Sequence, residues 1–177
     1  ARAMYNYADR YFAYASVMGQ GSSAFHPDHR WGMFWSASAG WMMSKEKWFK
    51  ADWVDELKLK ASYGENGNDL GMRYSYYYTN RYSIVNSDNN IALTPSGTKG
   101  NEELTWEKNS KFNVGVDFSL FKGRLTGTME YYNNRTEDML ATIPYPPTLG
   151  YTSALANVGN MSNQGFEMEL RGDIIRT

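Results

Sequence analysis

The feature that most constrains the fold is a long alternating pattern between residues 103 and 140. Apolar and polar side chains alternate over about sixteen residues, the chain reverses at Lys122-Gly123, and the alternation resumes on the way back. Because strand side chains point to opposite faces with period two, such a hairpin has one apolar and one polar face. Strands of soluble proteins usually run for about five or six residues. The fold must therefore use strands roughly three times that long.

The turn sets a register that separates the two kinds of side chain on both arms. Gly123 suits a turn residue with positive φ, whereas Lys122 is not a favoured first turn residue, so a slightly longer turn stays open. The apolar face is predicted to pair Leu120 with Leu125, Phe118 with Gly127, Val116 with Met129, and Val114 with Tyr131. The polar face is predicted to pair Ser119 with Thr126, Asp117 with Thr128, Gly115 with Glu130, and Asn113 with Tyr132.

The same alternation recurs along the chain and predicts six strands. The shorter links lie at 44–55 and 121–124, and the longer ones at 19–30, 65–102 and 141–162 fall at the opposite end. Short turns at one end and long loops at the other are typical of an outer-membrane β-barrel. We therefore predict an all-β fold, an antiparallel transmembrane β-barrel segment whose longer links are extracellular loops. Its strands are predicted near 8–18, 31–43, 56–64, 103–121, 124–139 and 164–174.

A bilayer explains long two-faced strands. Hydrocarbon offers no water to unpaired backbone groups, so only helices and closed barrels cross it. The chain has no stretch of about 18 apolar residues, which excludes a transmembrane helix. Aromatic residues make up 16% of the chain, and Tyr and Trp favour the two membrane–water interfaces. The predicted interface anchors are Trp35, Trp41, Trp48, Trp53, Trp106, Tyr131 and Tyr132.

Four stretches, which together cover most of the chain, carry a resemblance to a known family and follow one another in that family's order. They are "GSSAFHPDHRWGMFWSASAGWMMSKEKW", "ELKLKASYGENGN", "LTWEKNSKFNVGVDFSLFKGRLTGTMEYYNNRTEDML" and "NVGNMSNQGFEMEL". Together they resemble the C-terminal part of the barrel in SusC/RagA-type TonB-linked outer-membrane transporters of Bacteroidetes. The resemblance implies a barrel of about 22 strands, of which about six lie here. It also implies that the plug domain and the TonB-contacting box lie outside this chain, which is expected to be a fragment.

The same resemblance implies a role in nutrient uptake at the cell surface. Its members import oligosaccharides or peptides across the outer membrane, with a SusD-like surface lipoprotein at the mouth and energy delivered through TonB. Aromatic faces stack on sugar rings and favour interfaces. The Tyr-rich 65–102 loop and its flank are therefore the candidate contacts to substrate or lid, namely Tyr74, Tyr76, Tyr77, Tyr78, Tyr82 and Trp106.

No catalytic, cofactor or metal site is predicted. His26, Asp28 and His29 lie in a loop without a recognised zinc spacing. The neighbouring carboxylates at 102–103 and 137–138 point to opposite faces of a strand and do not converge on one bond. The absence of cysteine excludes disulfides and thiolate sites. The net charge is −1, and acidic and basic residues are interspersed along the sequence. The sequence therefore shows no basic patch of the kind that binds nucleic acid.

Two other functions stay open from pattern alone. The first is a secreted soluble β-sandwich that binds carbohydrate, in which the apolar residues 114, 116, 118, 129 and 131 would be buried between two sheets. The second is a hydrolase, which would need two carboxyl groups on one face at catalytic separation.

Overall fold

The computed structural model describes residues 1–69, 76–87 and 90–173, and nearly all of its regular structure is strand. Two short 3-10 turns, Met43–Lys45 and Pro147–Leu149, are the helical elements of these residues. None of the helices found there has the length and hydrophobicity needed to cross a bilayer. The strands are β1 Arg2–Tyr7, β2 Tyr11–Gly21, β3 Trp31–Met42, β4 Val54–Asn68, β5 Tyr82–Ser87, β6 Asn90–Pro95, β7 Gly97–Lys99, β8 Glu107–Leu120, β9 Leu125–Glu137, β10 Leu140–Pro144, β11 Tyr151–Asn157 and β12 Met161–Gly172.

The main sheet has seven strands in the order β1-β2-β3-β4-β8-β9-β12. Every neighbouring pair is antiparallel, and the order follows the chain. The sheet is therefore a meander, in which each strand pairs with the next long strand of the sequence. The predicted all-β, antiparallel class is confirmed, with seven strands in place of six.

The additional strand comes from a turn inside the predicted segment 8–18. Ala8 and Asp9 adopt left-handed φ angles of 52° and 50°. The Asn6 amide nitrogen donates to Asp9 Oδ1 at 2.8 Å, and the Asp9 backbone N–H donates to Asn6 Oδ1 at 3.2 Å. Asn and Asp close such turns because their side chains bond the nearby backbone. The prediction of a strand starting at residue 8 is wrong, because Ala8, Asp9 and Arg10 separate β1 from β2.

The register of the long hairpin is confirmed at every predicted pair, from Leu120–Leu125 to Asn113–Tyr132. Its turn is longer than two residues, because 121–124 all lie between the last paired residues. Phe121, Lys122 and Gly123 have φ angles of 56°, 58° and 77°. The Phe121 N–H donates to the Trp53 carbonyl at 2.8 Å, which fixes this turn against the preceding link.

Links of the main sheet differ in length at its two ends. The turn end carries the links 8–10, 43–53 and 121–124, and the loop end carries 22–30, 69–106 and 138–160. The two longest links, 69–106 and 138–160, both lie at the loop end, but the link 43–53 at the turn end is longer than the link 22–30 at the loop end, so the predicted segregation of short and long links holds only in part. The predicted loops contain further structure, since β5 and β6 form a hairpin and β10, β11 and β7 form a three-stranded sheet. Residues 103–106, predicted as strand, precede β8.

Strand register aligns side chains of one kind across all seven strands. The outer face is the side of Val114, and the inner face is the side of Asn113. One row of paired residues on the outer face is Tyr5, Ala13, Ala39, Ala61, Val114, Tyr131 and Phe166. The neighbouring row on the inner face is Met4, Tyr14, Ser38, Ser62, Asn113, Tyr132 and Gly165.

The two faces of the sheet differ in how much of their side-chain surface is exposed in β2 and β3. In β2 and β3 the inner-face side chains are half-buried or buried in most positions, whereas most outer-face side chains are exposed. A groove of about 590 Å³ also opens among inner-face side chains that include Phe12, Tyr14 and Lys60. The inner face is therefore the more enclosed side of the sheet in this region.

A small hydrophobic core holds the loop end together. Phe25, Phe34, Leu104, Trp106 and Leu140 are buried against one another, and we call this set the loop-end core. Phe34 belongs to the inner face of β3, because it pairs with Met18 in the row beyond Ser16 and Ser36. The loops therefore fold inward over the inner face at this end.

Candidate functional site

The outer face has a band without charged side chains. It extends from the turn end to the Tyr63–Phe112 pair, and charges reappear beyond it, where Arg135 Nε lies 3.0 Å from Glu137 Oε1. Unpaired charge is costly inside hydrocarbon. The residues of this band are Ala3, Tyr5, Tyr7, Tyr11, Ala13, Ala15, Val17, Trp35, Ala37, Ala39, Trp41, Leu57, Leu59, Ala61, Tyr63, Phe112, Val114, Val116, Phe118, Leu120, Leu125, Gly127, Met129, Tyr131, Phe166, Met168 and Leu170.

Aromatic rings lie within this band on several strands. Between β2 and β3 the Tyr11 and Trp41 rings lie 6.3 Å apart, and between β9 and β12 the Tyr131 and Phe166 rings lie 5.0 Å apart. Trp31 and Trp41 are ten positions apart on β3, which is about 33 Å along a strand and about 25 Å once tilted as in a barrel. The spacing matches the apolar band of outer-membrane barrels.

Two of the predicted interface anchors occupy other places. Trp106 lies in the loop-end core with 6% of its surface exposed, and its Nε1 donates to the Arg30 carbonyl at 3.2 Å. Tyr132 pairs with Asn113 on the inner face. Strand parity decides the position of Tyr132, and inward folding of the loop decides that of Trp106. Trp35, Trp41 and Tyr131 lie on the outer face, while Trp48 and Trp53 lie exposed in the link between β3 and β4.

The outer face is not the interior of a sandwich. Val114 and Met129 are 42% and 44% exposed, and Val116, Phe118 and Tyr131 are partly exposed as well. A soluble sandwich would bury these side chains between two sheets. The soluble carbohydrate-binding alternative is therefore not supported.

The inner face carries an ion network centred on Lys60. Lys60 Nζ lies 2.9 Å from Asp117 Oδ1 and 3.2 Å from Glu130 Oε2. The Thr128 hydroxyl donates to the same Asp117 oxygen at 2.9 Å. Gly115 lies between these groups in the register, and a Cβ there would stand 3.0 Å from Lys60 Cε. The missing side chain leaves the space through which the lysine reaches both carboxylates.

Charge is unevenly distributed over the inner face. We call the inner face of β1, β2 and β3 the apolar sector. It carries Met4, Phe12, Tyr14 and Met18, and the charged residue among its strand positions is Arg2. We call the inner face of β4, β8, β9 and β12 the charged sector. Its charged residues are Glu56, Lys58, Lys60, Glu107, Lys111, Asp117, Glu130, Glu167, Glu169 and Arg171.

The candidate contact residues separate into three groups. Tyr76, Tyr77 and Tyr78 lie on one loop, which is joined to the neighbouring loop by the bond from the Tyr76 N–H to the Ser23 carbonyl at 3.1 Å. Tyr82 lies on the β5–β6 hairpin. Trp106 packs in the loop-end core, and Tyr74 lies outside the described residues.

Within the Tyr76–Tyr78 group the rings differ in accessibility. Tyr76 is 53% exposed and meets Tyr78 edge-on at 5.9 Å, while Tyr78 meets the His26 ring edge-on at 5.3 Å. Tyr77 packs against the loop-end core. Tyr76 and Tyr78 of this loop and His26 of the neighbouring loop therefore form one aromatic cluster, which we call the mouth cluster.

Two polar side chains, the half-buried Asn157 and the buried Glu107, anchor the loops. Asn157 Nδ2 donates to the Thr105 and Asp138 carbonyls at 2.9 and 2.8 Å, and its Oδ1 accepts from the Thr105 N–H at 2.9 Å. Glu107, which is buried, accepts from Asn68 Nδ2 at 2.9 Å and from the Leu140 N–H at 3.2 Å. Isolated apolar residues inside polar loops, such as Leu104, are the signal that marks this anchoring region.

The loop histidines form no cluster of metal ligands in the described part of the chain. His26 Nδ1 lies 3.3 Å from Asp28 Oδ2 and accepts the Asp28 backbone N–H at 3.4 Å. These contacts close a local turn.

Glu46, in the link between β3 and β4, joins three side chains at the turn end. Its Oε1 accepts from the Tyr11 hydroxyl at 2.6 Å and from Trp41 Nε1 at 3.1 Å, and its Oε2 lies 3.3 Å from Arg10 Nη1. The hydrogen bond from Tyr11, followed by that from Trp41, holds the pKa of Glu46 below its ordinary value. The bonds favour the carboxylate in the folded protein.

Titration of Glu46 gives a testable pH dependence. Because its folded pKa is lowered, its stabilising contribution is present above the ordinary carboxyl pKa and is lost as the pH falls through the lowered value. In the full-length receptor labelled with ¹⁵N-tryptophan, we expect the Trp41 indole resonance to shift with a midpoint below the ordinary glutamate pKa. Glu46→Gln should abolish that titration, and Glu56→Gln should leave it intact. A midpoint at or above the ordinary value would contradict the arrangement.

Comparison with known proteins places this wall in a family. Residues 1–175 match the family model described as TonB dependent receptor-like, beta-barrel. The chain is 35% identical to TonB-dependent receptor P39 of Formosa agariphila, over 99% of the chain and 17% of that receptor. It is 30% identical to TonB-dependent receptor SusC of Bacteroides thetaiotaomicron, over 99% of the chain and 18% of the receptor.

Solved structures agree with this placement. The RagAB peptide importer in its 'closed-closed' state superposes with a TM-score of 0.88 at 30% identity, over 99% of the chain and 19% of that chain. The siderophore receptor PirA of Pseudomonas aeruginosa shares the fold at a TM-score of 0.61 and 12% identity. The chain spans less than a fifth of the length of the curated relatives named above. This chain belongs to the TonB-dependent receptor-like β-barrel family.

Proposed function

We propose that the chain forms part of the wall and outer loops of a nutrient importer in the bacterial outer membrane. The observation that carries the proposal is the separation of charge between the two faces of the seven-stranded sheet. The outer face presents an uncharged band that contains several aromatic rings, and the inner face carries the Lys60 ion network. A barrel wall between lipid and an aqueous lumen requires that division.

The relatives support import of oligomeric nutrients. One is named SusC and another is the RagAB peptide importer. By this likeness we propose oligosaccharides or peptides as cargo, a SusD-like surface lipoprotein as the partner at the loop end, and TonB as the source of energy. We assign no covalent chemistry to Asp117 and Glu130, because both carboxylates are ion-paired with Lys60.

Growth of a strain that lacks the receptor gene tests this function. We expect the strain to lose growth on a subset of peptides or oligosaccharides supplied as sole nutrient. The intact gene should restore that growth in cells with functional TonB and should fail to restore it in cells without TonB. Restoration that is independent of TonB, or a receptor recovered from the soluble fraction, would contradict the proposal.

We further propose that the mouth cluster contacts cargo. Replacing Tyr76 and Tyr78 together by alanine removes one exposed and one half-buried ring, and each aromatic contact is worth about 0.5–1.5 kcal/mol. We expect cargo affinity to fall about tenfold in binding assays on the purified full-length receptor, with the lipoprotein still co-purifying. Tyr78→Phe retains the ring and should bind nearly as tightly.

Two other outcomes of that experiment have distinct meanings. Loss of lipoprotein co-purification with unchanged cargo affinity would assign the rings to the lid and contradict the cargo contact. No change in either measurement would remove the mouth cluster from both roles.

A further inference from the structure

The turn end of the wall carries a surface that combines basic side chains with aromatic rings. We propose that the groove between the link 43–53 and the turn 121–124 binds the headgroup of a membrane phospholipid that bears both a phosphate and an ammonium group. The inference rests on the proposed function, because it takes the outer band to lie in a bilayer. It adds a lipid site at the end of the wall opposite to the mouth cluster.

Charge differs in sign between the two ends of the main sheet. The three links of the turn end carry six basic and three acidic residues, whereas the three links of the loop end carry four basic and six acidic residues. Two of the turn-end charges, Arg10 and Glu46, are paired with each other. The turn end therefore has a net positive charge in a chain whose own net charge is −1. Such a surface attracts the phosphate groups of a bilayer.

An open groove of about 620 Å³ brings charges of both signs together at this end. It is lined by Asp52 and Trp53 of the link and by Phe121, Lys122 and Arg124 of the hairpin turn. Lysine and arginine donate strong, charge-assisted hydrogen bonds to phosphate oxygens. Two cations beside one carboxylate therefore match a headgroup with a phosphate and an ammonium group. A headgroup without the ammonium group would offer no counter-charge to Asp52, so the groove is expected to select between phospholipids.

The aromatic part of the groove continues the uncharged outer band. Leu120 and Leu125 form the last pair of the band at the turn end of β8 and β9, and Phe121 follows Leu120 directly. The Trp53 and Phe121 rings stack at 5.9 Å with 28° between their planes, and they remain 55% and 52% exposed. Tryptophan favours the level of the headgroups in a bilayer. A lipid whose acyl chains cover the band would therefore place its headgroup at the groove.

Backbone contacts fix the two halves of the groove to each other. The Phe121 N–H donates to the Trp53 carbonyl at 2.8 Å, and the Gly123 N–H donates to Asp55 Oδ2 at 2.8 Å. Asp55 is thus bonded to the turn, while Asp52 lines the groove. The groove is formed before a ligand arrives, and a preformed site loses less conformational entropy on binding.

Photo-crosslinking in a defined bilayer tests which lipid occupies the groove. The full-length receptor carries a photoreactive benzoylphenylalanine at position 121, which keeps the phenyl ring of Phe121. It is placed in vesicles of phosphatidylethanolamine, phosphatidylglycerol and diacylglycerol with matched acyl chains and known proportions, and mass spectrometry of the crosslinked peptide identifies the lipid. We expect phosphatidylethanolamine to be enriched about fivefold over its share of the bilayer, as a few exposed charge contacts of modest strength would give.

Variants that remove charge divide the expected selectivity into its two parts. Asp52→Asn should abolish the preference for phosphatidylethanolamine over phosphatidylglycerol, because it removes the partner of the ammonium group. Lys122→Gln together with Arg124→Gln should abolish the preference for both phospholipids over diacylglycerol. The control is Lys45→Gln together with Lys47→Gln, which removes the same charge from exposed side chains of the link outside the groove. This control should change neither preference.

A second crosslinker position separates this inference from the function on which it rests. Phe112 lies in the outer band and is 39% exposed, so benzoylphenylalanine there should capture the three lipids in their bilayer proportions. Bilayer proportions at position 121 as well, no lipid adduct at position 121, or equal losses of preference in the groove and control variants would each overturn the lipid site and leave the barrel intact. Absence of lipid adducts at position 112 would instead overturn the barrel itself.

Discussion

An arginine in place of Val116 is expected to prevent a large fraction of the receptor from assembling in the outer membrane. Val116 lies mid-way along the outer band, paired with Leu59 and Met129. Lys or Arg on the lipid face of a barrel costs about 2–4 kcal/mol at the bilayer midplane. The folded fraction after refolding the full-length receptor into vesicles, followed by urea titration, measures this loss.

The control is an arginine at Asn113, three residues away on the inner face. The two variants have the same new charge on the same strand and differ in the face that carries it. We expect Asn113→Arg to cost less than about 1 kcal/mol, because lumen substitutions escape the lipid penalty. Equal costs for the two variants would mean that the outer face does not contact hydrocarbon.

Replacing Phe34 by alanine is expected to disrupt the loop end. The Phe34 ring is buried, meets the Trp106 ring at 5.7 Å, and packs with Phe25 and Leu104 in the loop-end core. Truncating a buried phenylalanine costs about 3–5 kcal/mol. We expect faster proteolysis in the loop that carries Tyr77, which packs on this core, while the wall remains assembled. Met33→Ala, the exposed outer-face neighbour, serves as the matched control.

Gly67 provides a second variant on the same contact. A Cβ at Gly67 would clash with Phe34 Cζ, so Gly67→Ala must displace the ring, at a cost of about 1–3 kcal/mol. In a Phe34→Ala background the clash disappears, and the alanine at 67 should be nearly neutral. Additive effects of the two substitutions would show that the ring does not lie over Gly67.

The wall could be predicted from the sequence because its signal is local and repeated. Period-two alternation defines two faces, and a register error of one residue would place Asp117 and Glu130 in the apolar row. That constraint accounts for the correct pairing from Leu120–Leu125 onwards, although the turn itself is longer than predicted. The missed turn at Ala8-Asp9 depended on an Asn6–Asp9 side-chain contact that alternation does not report.

The candidate site was less predictable, because it depends on loops that fold over the wall. Trp106 appears in the sequence as an interface anchor or a ligand contact, and in the structure it is buried beside Phe25 and Phe34. Trp106 is far from Phe25 and Phe34 in the chain, and it meets them only because the link before β8 folds over the wall. No periodic pattern reports such a contact.

The chain's own pattern of apolar and polar residues was sufficient to determine the long antiparallel strands, their register and the division between a lipid face and a lumen face. Side-chain direction in a strand follows from backbone geometry alone, so these features can be read one strand at a time. Tertiary structure decided the inward fold of the loops, the mouth cluster, and the contrast between the two sectors of the inner face. Those features depend on side chains brought together from separate strands and loops, and their distances are set by packing across the whole sheet.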